Sequence, residues 1–185
     1  VGKSTWQVNN ARKLLTIEYE KEVNIESTAE HDKLFKELLD AKEGATVRRK
    51  DGDVDAAFKS AAKVIVREYQ CPFLSHSPME PMNFFAHVRE DGVELVGPSQ
   101  TPEAGRMEVS KLLNVAPEKI TLQLTRLGGG FGRRLKTDYV VEAAELSSLI
   151  KAPVKVIWTR EDDITGGSYR PAVRYRFDAA LDANN

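Results

Sequence analysis

The sequence predicts an α+β fold, with a two-layer α/β arrangement built on a mixed sheet. Segments typical of strands and helices alternate from Ile65 onward, which favours helices packed against one sheet. The segment from Thr137 to Ile150 has apolar residues at steps of four, three and four, as expected of a helix that faces a core. Apolar residues make up 41% of the chain and charged residues 30%, the composition of a globular protein.

The first fifty residues predict two helices and one strand. Ser4 can cap a helix from Thr5 to Leu15, and Leu14 to Tyr19 has the pattern of a strand. A charged amphipathic helix is predicted from Ala29 to Lys42, because its apolar residues fall on one face. Those apolar residues are Leu34, Phe35, Leu38 and Leu39. Gly44 to Lys50 is predicted to be a loop or a short strand.

The remaining elements follow from turn and capping signals. A capped short helix is predicted from Asp53 to Ala62, and Pro72 to Met82 is predicted to be irregular because it holds three prolines. Glu90-Asp91-Gly92 is a hairpin turn signal, and Thr101-Pro102-Glu103 starts a helix that runs to Leu113. The predicted strands are Lys63 to Cys71, Asn83 to Arg89, Val93 to Val96, Lys119 to Thr125, Val154 to Thr159 and Ala172 to Ala180.

A glycine-rich loop lies between a predicted strand and the helix that starts at Thr137. From Leu127 to Arg134 it reads Leu-Gly-Gly-Gly-Phe-Gly-Arg-Arg. A tight turn needs one or two glycines, whereas this loop has four around Phe131. Backbone without side chains can lie against a ligand and present N–H groups to anionic oxygens. The loop is therefore predicted to be a rigid binding cradle.

Side chains that could hold a metal ion are scarce. Cys71 is the only cysteine, which excludes an internal disulfide and a site built from thiolates. The three histidines show no ligand spacing. Net charge is −1, with 27 basic and 28 acidic residues mixed along the chain, so no nucleic-acid surface is predicted. No apolar run approaches the roughly 20 residues that span a bilayer.

Four segments, in order, resemble the molybdopterin-binding large subunit of the molybdenum hydroxylases, the family of xanthine dehydrogenase and aldehyde oxidoreductase. Gly128 to Arg134 resembles the loop that contacts molybdopterin, and Pro98 to Pro102 resembles the turn whose glutamine lies near the molybdenum oxo group. His76 to Asn83 and Trp158 to Asp163 resemble segments that flank these elements in the family. The Pro-Met-Glu-Pro and Arg-Arg sequences are most similar to the isoquinoline 1-oxidoreductase β-subunit type.

The resemblance implies three regions. Residues 1–22 end a preceding small α/β domain, residues 23–52 form a charged helix and linker, and residues 53–185 form the first half of a molybdenum-cofactor-binding domain that is truncated at its C-terminus. The chain begins at Val1 without a methionine, and we interpret it as a fragment of a longer polypeptide.

The resemblance also implies a molybdenum–molybdopterin cofactor whose metal is held by the sulfurs of the pterin and not by side chains. The protein then supplies backbone N–H groups, an amide and a shaped surface. Gln100 is expected to donate a hydrogen bond to the metal oxo ligand, Phe131 to wall the site and Gly132 to let the metal centre approach the backbone. Arg133 and Arg134 are expected to offer forks to phosphate or carboxylate groups. The expected cofactor-binding residues are Gln100, Gly129, Gly130, Phe131, Gly132 and Arg133.

Each of these side chains also has a structural explanation. Gln100 can cap the helix that follows it, and Phe131 can belong to the core. Arg133 and Arg134 can form a solvated pair at a helix start, although two cations there oppose the helix dipole.

Two further pairs are considered. His76 and Glu80 could act as an acid and a base, but among prolines they are expected to hydrogen-bond the irregular backbone. Tyr169 and Arg170 lie where the family has residues on the substrate side.

Two departures from the family pattern limit the expected chemistry. The xanthine-specific branch has a carboxylate where this chain has Leu135, and its purine-binding arginine is replaced at Ser168. A less polar heteroaromatic or an aldehyde is therefore expected as substrate. The family's catalytic glutamate lies in a second cofactor-binding half, so no catalytic residue is predicted in this chain. The cofactor is expected in the full-length protein, and the isolated fragment is expected to lack it and to be inactive. An iron–sulfur small subunit or domain is the expected partner.

Two functions remain open. The first is a part of an oxidoreductase that inserts oxygen from water at an electron-poor carbon and passes on two electrons. The second is a non-catalytic α/β binding module whose glycine loop holds another anionic ligand or a partner. Gly2-Lys3-Ser4-Thr5 matches the end of a phosphate-binding P-loop, but the upstream glycine and strand are absent.

Overall fold

A computed structural model describes residues 1–18, 20, 26–41 and 43–184. The chain forms two compact units, one made of residues 1–63 and 180–185 and the other of residues 64–179.

The first unit contains helices α1 (Thr5–Arg12), α2 (Thr28–Asp40) and α3 (Val54–Ser60). The three helices predicted here are confirmed, and Ser4 caps α1 by accepting a hydrogen bond from the Gln7 N–H. No described residue of these helices is buried.

The strand predicted from Leu14 is wrong over the described residues 14–18. The N–H groups of Leu14 and Leu15 donate to the carbonyls of Ala11 and Arg12 and extend the turns at the end of α1. Tyr19 lies outside the described residues.

The second unit is built on two sheets. One pairs β1 (Lys63–Cys71) with β6 (Val173–Leu181), and the other has four strands in the order β4-β3-β2-β5. Its strands are β2 (Asn83–Val88), β3 (Val93–Gly97), β4 (Ile120–Leu124) and β5 (Val154–Ile157). β2 runs antiparallel to β3 and β5, whereas β3 and β4 are parallel. The predicted mixed sheet is therefore confirmed.

Helices α4 (Pro102–Leu113) and α5 (Asp138–Ile150) cover one face of the four-stranded sheet. Phe84 lies edge-on to Tyr139, with ring centroids 5.8 Å apart, and the Tyr139 hydroxyl donates to the Pro98 carbonyl at 2.8 Å. Burial raises the pKa of Tyr139, which keeps the hydroxyl protonated as a donor. This contact joins α5 to the end of β3, where the segment leading to α4 begins.

A short helix, α6 (Arg160–Thr165), begins directly after Thr159, the residue that the predicted strand was expected to reach. Thr159 and Asp162 form a capping box, in which each side chain accepts a hydrogen bond from the other residue's N–H. The strand β5 consequently ends two residues earlier than predicted, at Ile157.

Two glycines of the core give opposite predictions for stability. A Cβ at Gly97 would clash with Cδ2 in the ring of buried Phe84, whereas a Cβ at Gly105 in α4 would be 3.5 Å from Val140 Cγ1, an ordinary contact. We expect Gly97→Ala to lower the free energy of unfolding by about 1–3 kcal/mol. We expect Gly105→Ala to raise it by about 0.5–1 kcal/mol, because alanine favours a helix interior. Urea denaturation of both variants is the measurement, and changes of the same sign would contradict the packing described here.

Candidate functional site

The glycine loop, residues 128–134, joins β4 to α5 and ends in a 3-10 turn, Arg133–Leu135. Gly129 and Gly132 have φ values of +103° and +97°, which side chains rarely adopt. Phe131 has a φ of +53°, so the loop carries backbone strain of about 1–2 kcal/mol at a non-glycine residue.

Gln100 holds the second half of this loop. Its Oε1 accepts hydrogen bonds from the N–H groups of Gly132 and Arg134, each at 3.2 Å. Because both donors bind Oε1, the amide is oriented with Nε2 pointing away from these two N–H groups. Nε2 donates to no residue in the part of the chain that the structure describes. Because α4 has no side-chain cap, helix capping does not explain Gln100.

Three consecutive N–H groups of the loop have no acceptor among the described residues: those of Gly129, Gly130 and Phe131. Of these three residues Gly130 is buried, and an unpaired amide at a buried residue is costly unless a ligand or water accepts its proton. Successive amides in alternating left- and right-handed backbone form concave anion sites. The loop therefore offers an anionic or electron-rich group a row of donors.

Phe131 does not belong to the core. Its side chain is 63% exposed, so the structural alternative predicted for it is wrong. Its carbonyl accepts a hydrogen bond from Arg170 Nη2 at 3.4 Å. The exposed ring is thus held on a fixed backbone, as a wall for a flat molecule would be.

Arg133 and Arg134 are buried, with 2% and 0% exposure, so a solvated pair is also wrong. Arg133 binds Asp138 through two hydrogen bonds of 2.9 and 2.8 Å and lies over the Trp158 ring, 5.1 Å from its centroid. The fork of Arg133, which was expected to bind a cofactor, is therefore occupied by a carboxylate of this chain. Only its Nε is buried without a partner.

Arg134 connects the loop to the irregular segment 72–82. Its Nε donates to the Gly129 carbonyl at 2.9 Å, and its Nη2 donates to the Glu80 carbonyl at 2.8 Å and to Glu80 Oε2 at 3.1 Å. Glu80 Oε2 also accepts from the Gly128 N–H at 2.8 Å. The Glu80 carboxylate therefore bonds the backbone of the glycine loop, whereas it was expected to bond the irregular backbone of its own segment. His76 is not hydrogen-bonded to Glu80 in any described contact; its Nε2 lies 3.4 Å from the Cβ position of Gly132.

The segment 76–80 forms a second wall that sequence reasoning missed. Pro78 is buried and its Cβ lies 3.2 Å from the Cβ position of Gly129. Arg160 holds this wall from α6, since its Nη2 donates to the carbonyls of Pro78 and Met79 at 2.7 and 2.9 Å. The family resemblance included both the segment 76–80 and the glycine loop, but no local sequence pattern indicated that the two are in contact.

No group of three or more histidine, cysteine, aspartate or glutamate side chains that could hold a metal ion occurs among the described residues. Within the described ranges, the structure also contains no helix that is long and apolar enough to cross a bilayer.

Glu80 gives a pH-dependent prediction. Burial acts to raise its pKa, but hydrogen bonds from Asn83 and Gly128 and the charges of Arg134 and Lys155 outweigh burial and lower it. The carboxylate therefore stabilises the fold above the ordinary glutamate pKa, and this stabilisation is lost as the pH falls through the lowered value. At pH 7 we expect Glu80→Gln to lower the free energy of unfolding by about 1–2 kcal/mol.

Urea denaturation between pH 7 and pH 3 measures this effect. The difference between the parent protein and Glu80→Gln should shrink toward pH 3. The control is Glu94→Gln, which breaks an exposed 3.4 Å ion pair with Arg89 and should cost less than about 0.5 kcal/mol. A Glu80→Gln effect that is equal at both ends of the range would contradict the prediction.

Comparison with known proteins gives one family. Residues 38–185 match a family model described as a molybdopterin cofactor-binding domain. The chain is 36% identical over 151 residues to a membrane-bound aldehyde dehydrogenase [pyrroloquinoline-quinone] of Gluconacetobacter polyoxogenes, covering 81% of this chain and 20% of that protein. It is 35% identical over 130 residues to the isoquinoline 1-oxidoreductase subunit beta of Brevundimonas diminuta, covering 69% of this chain and 17% of that subunit.

The chain therefore spans about a fifth of the length of these curated relatives. Its fold is similar to that of quinoline 2-oxidoreductase from Pseudomonas putida 86, with a TM-score of 0.72 and 21% identity over 97% of this chain and 24% of that one. The family model covers most of the chain, and the mixed sheet, the glycine loop and the resemblance to molybdenum hydroxylases agree with it. This chain belongs to the molybdopterin cofactor-binding domain family.

Proposed function

We propose that this chain forms the glycine-loop part of a molybdenum–molybdopterin site in an oxidoreductase that hydroxylates a heteroaromatic compound or oxidises an aldehyde. The observation that carries the proposal is the row of unpaired N–H groups at Gly129, Gly130 and Phe131, next to the free Nε2 of Gln100. These donors are neutral and suit a cofactor that brings its own metal ligands and electron-rich oxygens.

The residues present fit such a group. Gln100 would donate to it from Nε2, and the three amides would bind its anionic side. When bound, the molybdenum centre supplies the two-electron oxidation and the transfer of oxygen derived from water. Arg133 supports the loop, since its N–H donates to the Gly130 carbonyl at 2.8 Å and its fork is bound to Asp138.

Two large apolar side chains are exposed at the loop. Phe131 and Leu135 are 63% and 54% exposed, and Ser168 is small and uncharged. An exposed ring and an aliphatic side chain favour a flat, weakly polar substrate, such as a heteroaromatic or an aromatic aldehyde. No described carboxylate lies free beside the loop amides, because Glu80 and Asp138 bind the two arginines. We therefore infer that the catalytic base comes from another part of the enzyme.

Electron transfer requires a partner. A cluster held by four cysteines cannot form on a chain with one cysteine. We infer that an iron–sulfur subunit or domain accepts the electrons.

Cofactor analysis tests the proposal directly. The full-length protein that contains this chain, purified from a host that makes molybdopterin, should contain molybdenum and a pterin, detected by metal analysis and by fluorescence of the oxidised pterin. One relative is named for pyrroloquinoline-quinone, so quinone is assayed in the same samples. Quinone without molybdenum, or neither group, would refute the proposal.

Gln100→Glu tests the amide donor. The carboxylate keeps an acceptor for the N–H groups of Gly132 and Arg134 but replaces Nε2 with an anionic oxygen. We expect the free energy of unfolding without cofactor to change by less than about 1 kcal/mol. The rate of cofactor release should rise about tenfold, as expected when one hydrogen bond is lost. The control is Gln123→Glu, on an exposed position of β4; equal release rates in both variants would contradict the role of Gln100.

Phe131→Ala tests the wall. Because Phe131 is 63% exposed, the free energy of unfolding of the variant should lie within about 1 kcal/mol of that of the parent protein. The KM for an aromatic aldehyde should rise about two- to tenfold, the loss expected for one aromatic contact, whereas the KM for a short aliphatic aldehyde should stay unchanged. Equal changes for both aldehydes would show that the ring does not select the substrate.

A further inference from the structure

Both ends of the glycine loop are attached to one residue, Glu80. At the start of the loop, the Gly128 N–H donates to Glu80 Oε2 at 2.8 Å and the Gly128 carbonyl accepts from the Glu80 N–H at 3.1 Å. At the end of the loop, Arg134 Nη2 donates to the Glu80 carbonyl and to Oε2. The five residues between these anchors include the three unpaired amides.

The contacts are close and largely desolvated. The Arg134 side chain has no exposed surface and that of Glu80 is 32% exposed. A Cβ at Gly128 would collide with Glu80 Cβ, so the loop lies directly on this side chain. Without the carboxylate, a buried guanidinium would lose its counter-charge, and its Nη1 has no partner already.

Glu80 is itself oriented from the sheet. Asn83 Nδ2, at the first residue of β2, donates to Glu80 Oε1 at 2.9 Å. On the other side, the Arg134 N–H donates to Gln100 Oε1, which fixes the amide of Gln100. A continuous path of hydrogen bonds therefore runs from β2 through Glu80 and Arg134 to Gln100.

We propose that Glu80 is a positioning residue for the cofactor site, acting through Gly128 and Arg134. It holds the N–H groups of residues 129–131 and Nε2 of Gln100 in one arrangement and bonds only to protein groups. This inference rests on the proposed function for the identity of the ligand, but the clamp on the loop exists without it.

Hydrogen exchange of the chain without cofactor tests the clamp itself. In Glu80→Gln, exchange at the Gly128 and Arg134 amides should become about tenfold faster or more, because local opening no longer breaks a charged hydrogen bond. Exchange in the interior of α5 should speed up by no more than the loss of global stability requires, and the increase at the two loop amides should exceed it. Asn83→Ala, which leaves the carboxylate in place, should give a smaller increase, and Glu94→Gln none.

Cofactor retention tests the positioning role. The parent protein and Glu94→Gln should retain molybdenum equally, whereas Glu80→Gln should release it about tenfold faster. In assays with an aromatic aldehyde, Glu80→Gln should raise the KM more than it lowers kcat. Faster exchange with unchanged retention would overturn the positioning role and leave the proposed function standing. Unchanged exchange in Glu80→Gln would overturn the clamp. A parent protein without molybdenum would instead refute the proposed function, and with it the cofactor for which Glu80 positions the loop.

Discussion

The geometry of the site depends on one oxygen atom, Oε1 of Gln100. By accepting the N–H groups of Gly132 and Arg134, it determines how the loop turns before α5 and which end of its own amide is free. A Cβ at Gly130 would come within 2.5 Å of that oxygen. The amide can approach the loop only because residue 130 is glycine, and this approach leaves Nε2 as the free end of the Gln100 amide.

Two buried guanidinium groups also hold this loop. Arg133 and Arg134 lie 5.9 and 5.8 Å from the ring centroid of Tyr139, and their charges are compensated by Asp138 and Glu80. Buried ion pairs add little net stability, but removing one partner is costly. Their arrangement therefore specifies the loop conformation more than it stabilises the domain.

Local signals in the sequence predicted most of the second unit. The hairpin at Glu90-Asp91-Gly92 and the helix start at Pro102 depend on neighbouring residues, and both are found. The capping box at Thr159 was equally local and could have revealed α6.

Long-range contacts could not be predicted from the sequence. Ser147 is polar yet fully buried, because its hydroxyl accepts from Val88 N–H and donates to the Ala152 carbonyl. The predicted apolar stripe of α5 includes Ile150 as a core residue, but the structure shows that Ile150 is 42% exposed. Likewise, Glu80 and Gly128 are 48 positions apart, and no periodicity connects them.

The four glycines of the loop have different reasons to be glycine. Gly129 and Gly132 have positive φ values, whereas Gly128 and Gly130 are pressed against Glu80 and Gln100. Each constraint comes from the protein, although the sequence suggested that bare backbone was needed for close approach of a ligand. The role of a ligand is better inferred from the polar groups that have no hydrogen-bond partner among the described residues. Among the groups left unused, the three loop amides and Nε2 of Gln100 are neutral donors, which suit a cofactor that brings its own metal ligands.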